Sequence, residues 1–111
     1  MLQQSTPRHE VFAALADPTR VAIVERLAIG VASVGDLAEP LPMSLSAVGQ
    51  HLRILERSGL VTSRKRGRTR YCALNADALA YVEDWLRERR RTAIARMDSL
   101  DNFLVQEGGE S

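Results

Sequence analysis

Between Ser33 and Gly59, two short amphipathic stretches are joined through Pro40-Leu41-Pro42-Met43, and this join constrains the chain more than any other feature. Proline lacks the helical N–H and pushes the residue before it out of the helical region, so no single helix can run across. Ser33 with Asp36 three residues on predicts a capping box, and Val34, Leu37, Ala38 and Leu41 fall on one apolar face. Ser44 predicts the cap of a second helix, in which Val48, Leu52 and Leu55 follow Leu45 at helical spacing. Gly59 predicts a left-handed stop, with Leu60 placed to close over the last turn. The expectation is a pair of short helices separated by a tight turn.

The face of the second helix opposite its apolar stripe is small near the start and basic near the end: Ser44, Ser46, Ala47, Gly49, Gln50, Arg53 and Arg57. The run TSRKRGRTRYCAL follows Val61, and its central Gly67 lies between two stretches able to extend, which predicts a hairpin with a basic tip. Charge is concentrated here. Residues 51–70 contain Arg53, Arg57, Arg64, Lys65, Arg66, Arg68 and Arg70 against Glu56 alone, a balance of +6 in a chain whose net charge is +1. The other residues therefore sum to −5. A solvated face can be charged, but such segregation is the footprint expected where a nearly neutral protein meets a polyanion.

The flanks read as further helices. Thr6-Pro7 predicts a start for a first helix carrying Val11, Phe12 and Leu15 and ending near Ala16. Asp17-Pro18 repeats the signal for a second, with Val21, Val24 and Leu27 at helical spacing and Gly30 as a left-handed stop. Asn75 predicts the cap of a long last helix, in which Leu79, Val82, Leu86, Ala93, Met97, Leu100 and Leu104 recur in steps near three and a half, interrupted by Arg90. Continuous from Ala76 to Val105, it would span about 45 Å, more than a small domain needs to cover itself, so its seam calls for a partner. The expected organisation is a flexible N-terminus over 1–7, one domain over 8–105 and a disordered, glycine-containing tail over 106–111.

Length and composition exclude several classes. A chain of 111 residues suits one domain, and oligomerisation would compensate its modest core. No stretch approaches the roughly 18 apolar residues of a membrane span, and MLQQSTPRHE lacks a signal-peptide core. With one cysteine and no intramolecular disulfide possible, a cytoplasmic location is expected. No catalytic role is expected: Ser44 and His51 are two helical turns apart, about 10 Å, with no oriented carboxylate or glycine-rich elbow beside them. His51 reads as a support of its helix through a neighbouring element or a DNA phosphate. No cofactor and no metal site are expected.

A major groove about 12 Å wide admits one helix braced by another, and the helix beginning at Ser44 has the small outward residues such an approach needs. Ser44, Leu45, Ser46, Ala47, Gly49 and Gln50 are the candidates nearest the bases, with His51 a further DNA-binding candidate beside them. The Gln50 amide can pair with adenine as donor and acceptor together. Arg53 and Arg57, one and two turns on, are expected on phosphates, as are Arg64, Lys65, Arg66, Arg68 and Arg70 of the hairpin. Double-stranded DNA is thus the expected partner. A protein-interaction module is the other reading, since similar folds can dock proteins. Cys72, alternating with Leu74, reads as a small core residue before a sensor thiol, and His9 as a surface histidine before a metal ligand. Arg87, Arg89, Arg90 and Arg91 read as solvated or paired with Glu83 and Glu88, and Trp85 as a core aromatic before a wall of a ligand pocket.

The segments FAALADPTRVAIVERL, SVGDLAEPLPMSLSAVGQHLRILERSGLV and GRTRYCALN resemble the ArsR family of winged-helix repressors over about residues 8 to 105. The resemblance implies a mainly α winged helix-turn-helix, with about five helices and a two-stranded wing, dimerised through its first and last helices. Val11, Phe12 and Leu15 would join the seam from Leu79 to Leu104 in a homodimer. It also implies an autoregulatory repressor released from its operator by a metal or another effector. Family metal sensors carry cysteines in the helix corresponding to Val34–Glu39, or acidic and histidine ligands on the last helix. The former helix reads VGDLAE here and the latter has neither cysteine nor histidine, so the resemblance is to a subgroup without these metal sites. Redox or metal response through Cys72 or His9 is the alternative, and Leu45 and Gly49 depart from the polar residues frequent at their positions.

Overall fold

The computed structural model describes residues 8–109. The Thr6-Pro7 start and the 1–7 segment lie outside the described residues. The chain divides after Leu79 into two compact units.

The first unit contains α1 (Arg8–Ala14), α2 (Pro18–Leu27), β1 (Ala32–Ser33), α3 (Val34–Ala38), α4 (Leu45–Arg57), β2 (Val61–Arg66) and β3 (Thr69–Leu74). Helix α2 starts where Asp17-Pro18 predicts, with the Asp17 carboxylate accepting from Arg20 N–H at 3.2 Å. Its buried residues are Ile23 and Leu27, so the inward face is rotated away from the expected Val21–Val24 stripe. Gly30 does not end the helix in a left-handed conformation. Ala28 is the cap, in the right-handed helical region, and positive φ among the described residues occurs only at Gly59 and Gly67. Helix α3 has the expected capping box between Ser33 and Asp36.

Helix α4 packs against α1, α2, α3 and β2. It buries Val48, Leu52 and Leu55, each worth about 1.5–3 kcal/mol as an upper estimate. At its end Gly59 takes φ 88°, Leu60 N–H donates to Leu55 O at 3.1 Å, and the Leu60 side chain is fully buried. Ser58, buried beside it, donates from Oγ to Leu55 O at 2.8 Å and accepts from Leu60 N–H at 3.3 Å. Its polar group is thereby satisfied inside the core.

The hairpin belongs to a three-stranded antiparallel sheet in the order β1-β3-β2, one strand more than the two-stranded wing expected. Ala32 faces Cys72 and Ser33 faces Tyr71, so the residues leading into α3 stitch the helix pair to the wing. Strands β2 and β3 are in register from Val61↔Leu74 to Arg66↔Thr69. Gly67 and Arg68 form the connection. Positive φ at Gly67 (67°) and not at Arg68 matches a type II′ turn, whose twist suits a hairpin.

The long last helix is not continuous. Helix α5 (Ala76–Ala95) begins in the first unit, where Asp77 N–H donates to the Asn75 side chain at 3.1 Å, and its larger part forms the second unit with α6 (Met97–Gly109). The break is at Arg96, whose N–H is shared between Thr92 O and Ala93 O. Residues 106–109, placed by composition in a disordered tail, continue α6. The described residues thus hold six helices where about five were expected. Val11 is 1% exposed and Val82 is also buried, so these two expected dimer residues have little surface to offer a partner. Leu79, Leu86, Met97, Leu100 and Leu104 are exposed.

Candidate nucleic-acid interface

Ser44 caps α4 with its Oγ accepting from Ala47 N–H at 3.1 Å, fixing the first turn. Around that turn Ser44, Leu45, Ser46, Gln50 and Arg53 are exposed, while Ala47, Gly49 and His51 are half-buried. Leu45 is 62% exposed. It lies outside the core that Val48, Leu52 and Leu55 form, and presents an apolar side chain at the exposed start of the helix. A Cβ added at Gly49 would meet only Arg53 Nη1, at an ordinary 3.6 Å, so packing within the chain does not demand glycine there.

Val34, Gly49, Leu52, Arg53, Glu56 and Arg70 line a cleft of about 500 Å³ between α4 and the wing. Helix and hairpin therefore offer cations, Arg53 and Arg70, to one concave surface. Glu56 lies among them. Arg70 Nη1 donates to Ser63 Oγ at 3.0 Å, which orders the arginine along the sheet. Farther out, Lys65 and Arg70 stand opposite each other in register, a like-charge pair that destabilises a bare hairpin and that a bound anion would relieve. Arg64, Lys65, Arg66 and Arg68 are all exposed.

None of the seven basic residues in 51–70 forms an ion pair with a carboxylate among the described residues. Three of the four arginines of α5 behave differently. Arg87 is paired with Glu83 and Asp84, Arg91 with Glu88, and Arg89 stacks over the Trp85 ring at 5.1 Å from its centroid. The unpaired cations of 51–70 thus all lie on α4 and the wing.

His51 has a partner that sequence reasoning did not name. Its Nδ1 lies 3.1 Å from Arg20 Nη1 and 3.6 Å from Asp17 Oδ2. Arg20 also donates from Nε to Ala14 O at 2.7 Å and from Nη2 to Ala13 O at 3.4 Å, tying together the end of α1, the start of α2 and the middle of α4. Asp17 and Arg20 are 34 and 31 residues from His51, so no local periodicity could reveal them.

Cys72 is buried under the sheet. Burial first, and then the Glu56 carboxylate, push its thiol above the usual range, with Arg70 opposing. That is the opposite of what a reactive sensor thiol needs. No group of three or more metal-ligating side chains occurs among the described residues, and none of their helices is long and apolar enough to cross a membrane.

A helix pair whose second member stands exposed beside a basic hairpin defines a winged helix-turn-helix protein. Residues 17–63 match the family described as bacterial regulatory protein, arsR family. The chain is 52% identical over 67 residues to the HTH-type transcriptional regulator Rv2034 of Mycobacterium tuberculosis, covering 60% of this chain and 63% of that protein. It is 32% identical over 78 residues to the transcriptional repressor SdpR of Bacillus subtilis, covering 70% and 87%. It also superposes on the ArsR-like transcriptional regulator from Rhodococcus sp. RHA1 with a TM-score of 0.74 and 31% identity, covering 86% and 91%. The chain belongs to the arsR family of bacterial regulatory proteins.

Proposed function

We propose that the protein is a transcriptional repressor that binds an inverted-repeat operator in double-stranded DNA as a homodimer, in the cytoplasm, and leaves it on an effector signal. One observation carries the reading: seven basic residues over 51–70, none paired with a carboxylate among the described residues, follow an exposed helix start at Ser44, Leu45 and Ser46. An array of that kind is costly unless a polyanion compensates it.

In this reading Ser44, Leu45, Ser46, Ala47, Gly49 and Gln50 enter the major groove, with Gln50 reading adenine. Arg53 and Arg57 hold phosphates where the helix leaves the groove, and Arg64, Lys65, Arg66, Arg68 and Arg70 follow the backbone towards the minor groove. Two such helices would sit about 34–36 Å apart, one turn of DNA. The names of Rv2034 and SdpR support regulation and, for SdpR, repression.

A gel-shift titration against the DNA upstream of the protein's own gene, and against duplexes selected from random sequence, tests the proposal. Neutralising about ten phosphates per dimer gives a log–log salt slope near −9. Absence of salt-sensitive binding to both probes would sink it.

A further inference from the structure

Arg20 lies outside the helix-turn-helix pair, yet from α2 its guanidinium reaches two other elements at once: Ala14 O and Ala13 O at the end of α1, and His51 Nδ1 on α4. A guanidinium has donors only, so Nδ1 accepts with its lone pair and the imidazole carries its proton on Nε2. The other neighbour of Nδ1, Asp17 Oδ2, is an acceptor but lies 3.6 Å away, beyond hydrogen-bond reach, whereas Arg20 Nη1 is at 3.1 Å. Arg20 is therefore the group that holds the ring. Nε2–H has no partner among the described residues, and His51 is only half-buried on the helix between Gln50 and Arg53.

Building on the DNA-binding reading, we propose that Arg20 is a positioning residue that fixes His51 as a neutral donor, with its Nε2–H presented to a DNA phosphate. A neutral donor to phosphate differs from an arginine in one measurable way. It adds affinity without adding a counterion-releasing charge, so its loss weakens binding and leaves the salt slope unchanged.

The test compares two replacements of His51 by quantitative gel shift on a duplex selected by the wild-type protein. The Gln side chain extends to the Nε2 donor position, whereas Asn retains an acceptor at the Nδ1 position but has no group at Nε2. His51→Gln is expected to keep affinity within about threefold of wild type and His51→Asn to lose about tenfold, both with wild-type salt slope. Arg20→Met should lose a similar factor, and adding His51→Asn to it should cost little more, because the two substitutions remove one interaction. Nitrogen-15 correlation spectra of the free protein should show His51 protonated on Nε2 in the wild type and a mixture of tautomers in Arg20→Met. This readout needs no DNA and so separates failure of the positioning from failure of the repressor reading. Full affinity in His51→Asn, additive losses in the double variant, or a tautomer indifferent to Arg20 would overturn the proposal, as would a wild-type protein that selects no duplex. If Arg20→Met does not fold, the Gln and Asn pair decides alone.

Discussion

Asn75 joins the end of the wing to the end of the reading helix: its side-chain amide donates to Gly59 O at 2.9 Å, and its backbone N–H donates to Leu60 O at 2.9 Å. Its carbonyl oxygen Oδ1 meanwhile accepts from Asp77 N–H at the start of α5. One side chain thus satisfies the carbonyl of a left-handed glycine and caps the next helix. Asn75→Ala should lower stability by about 1–2 kcal/mol. Urea unfolding should show a lower midpoint at unchanged m. Asn75→Asp, which keeps the acceptor and loses the donor, should fall between.

The hairpin tip gives a second expectation. Gly67 has φ +67°, and an added Cβ would meet nothing within 4 Å, so the cost of a side chain there is purely one of backbone conformation. Gly67→Ala should destabilise by about 1 kcal/mol, with Gly67→Val worse and Gly67→Asn milder, because asparagine tolerates the left-handed region. Thermal melts would rank the three. A Gly67→Val protein as stable as wild type would show that the turn relaxes into another type.

The pairing of helix and wing leads to different roles for Gln50 and Arg68. Both are exposed, but one sits on α4 near its start and the other at the wing tip. Gln50→Ala should change which duplexes are preferred, with a loss of about 1–3 kcal/mol confined to the cognate base pair. Arg68→Ala should weaken all duplexes and reduce the magnitude of the salt slope by about one per protomer contact. Selection from random duplexes and salt titrations measure the two effects separately.

The reading helix and the wing could be seen in the sequence because their signals are local: Ser44, the Val48-Leu52-Leu55 stripe, Gly59 and Gly67 each act within a few residues. Strand β1 could not, since two residues carry no alternation and Ala32 and Ser33 extend only because Cys72 and Tyr71 pair with them. The break at Arg96 has no proline or glycine to announce it. The inward turn of Ile23 likewise depends on how α2 packs, and the Arg20–His51 bond on bringing together residues 31 apart.

Cys72 sets an expectation about pH and reactivity. Its folded thiol titrates above the ordinary value, so as pH rises past about 8.5 the unfolded chain releases a proton that the folded chain keeps. The unfolded state then binds fewer protons, and stability falls with rising pH until the folded thiol also ionises. Chemical unfolding between pH 8 and 10 should show that decline, and Cys72→Ala should flatten it. Thiol labelling of the native protein at neutral pH should be slow and speed up in urea. Rapid native labelling would revive redox sensing.

The exposed apolar side chains of α5 and α6 set the last expectation. Within the second unit Leu86, Ile94, Met97, Leu100, Phe103, Leu104 and Val105 are all at least half exposed, Leu100 at 61% and Val105 at 70%. Met97, Leu100 and Leu104 lie three and four residues apart, so one side of α6 presents a continuous apolar stripe to solvent. An uncovered stripe of this kind marks an association surface, and under the proposed recognition of an inverted repeat its partner would be a second copy. Burying a leucine such as Leu100 in each protomer contributes about 1.5–3 kcal/mol, whereas a carboxylate there would be desolvated without a partner. The double variant Leu100→Glu, Leu104→Glu should therefore sediment as a monomer at micromolar concentration while keeping the wild-type secondary structure by circular dichroism. Its operator affinity should fall at least a hundredfold, because each half-site then binds without the effective concentration supplied by its neighbour. A variant that remains dimeric would move the interface elsewhere. A monomer with full operator affinity would refute two-fold recognition of the DNA.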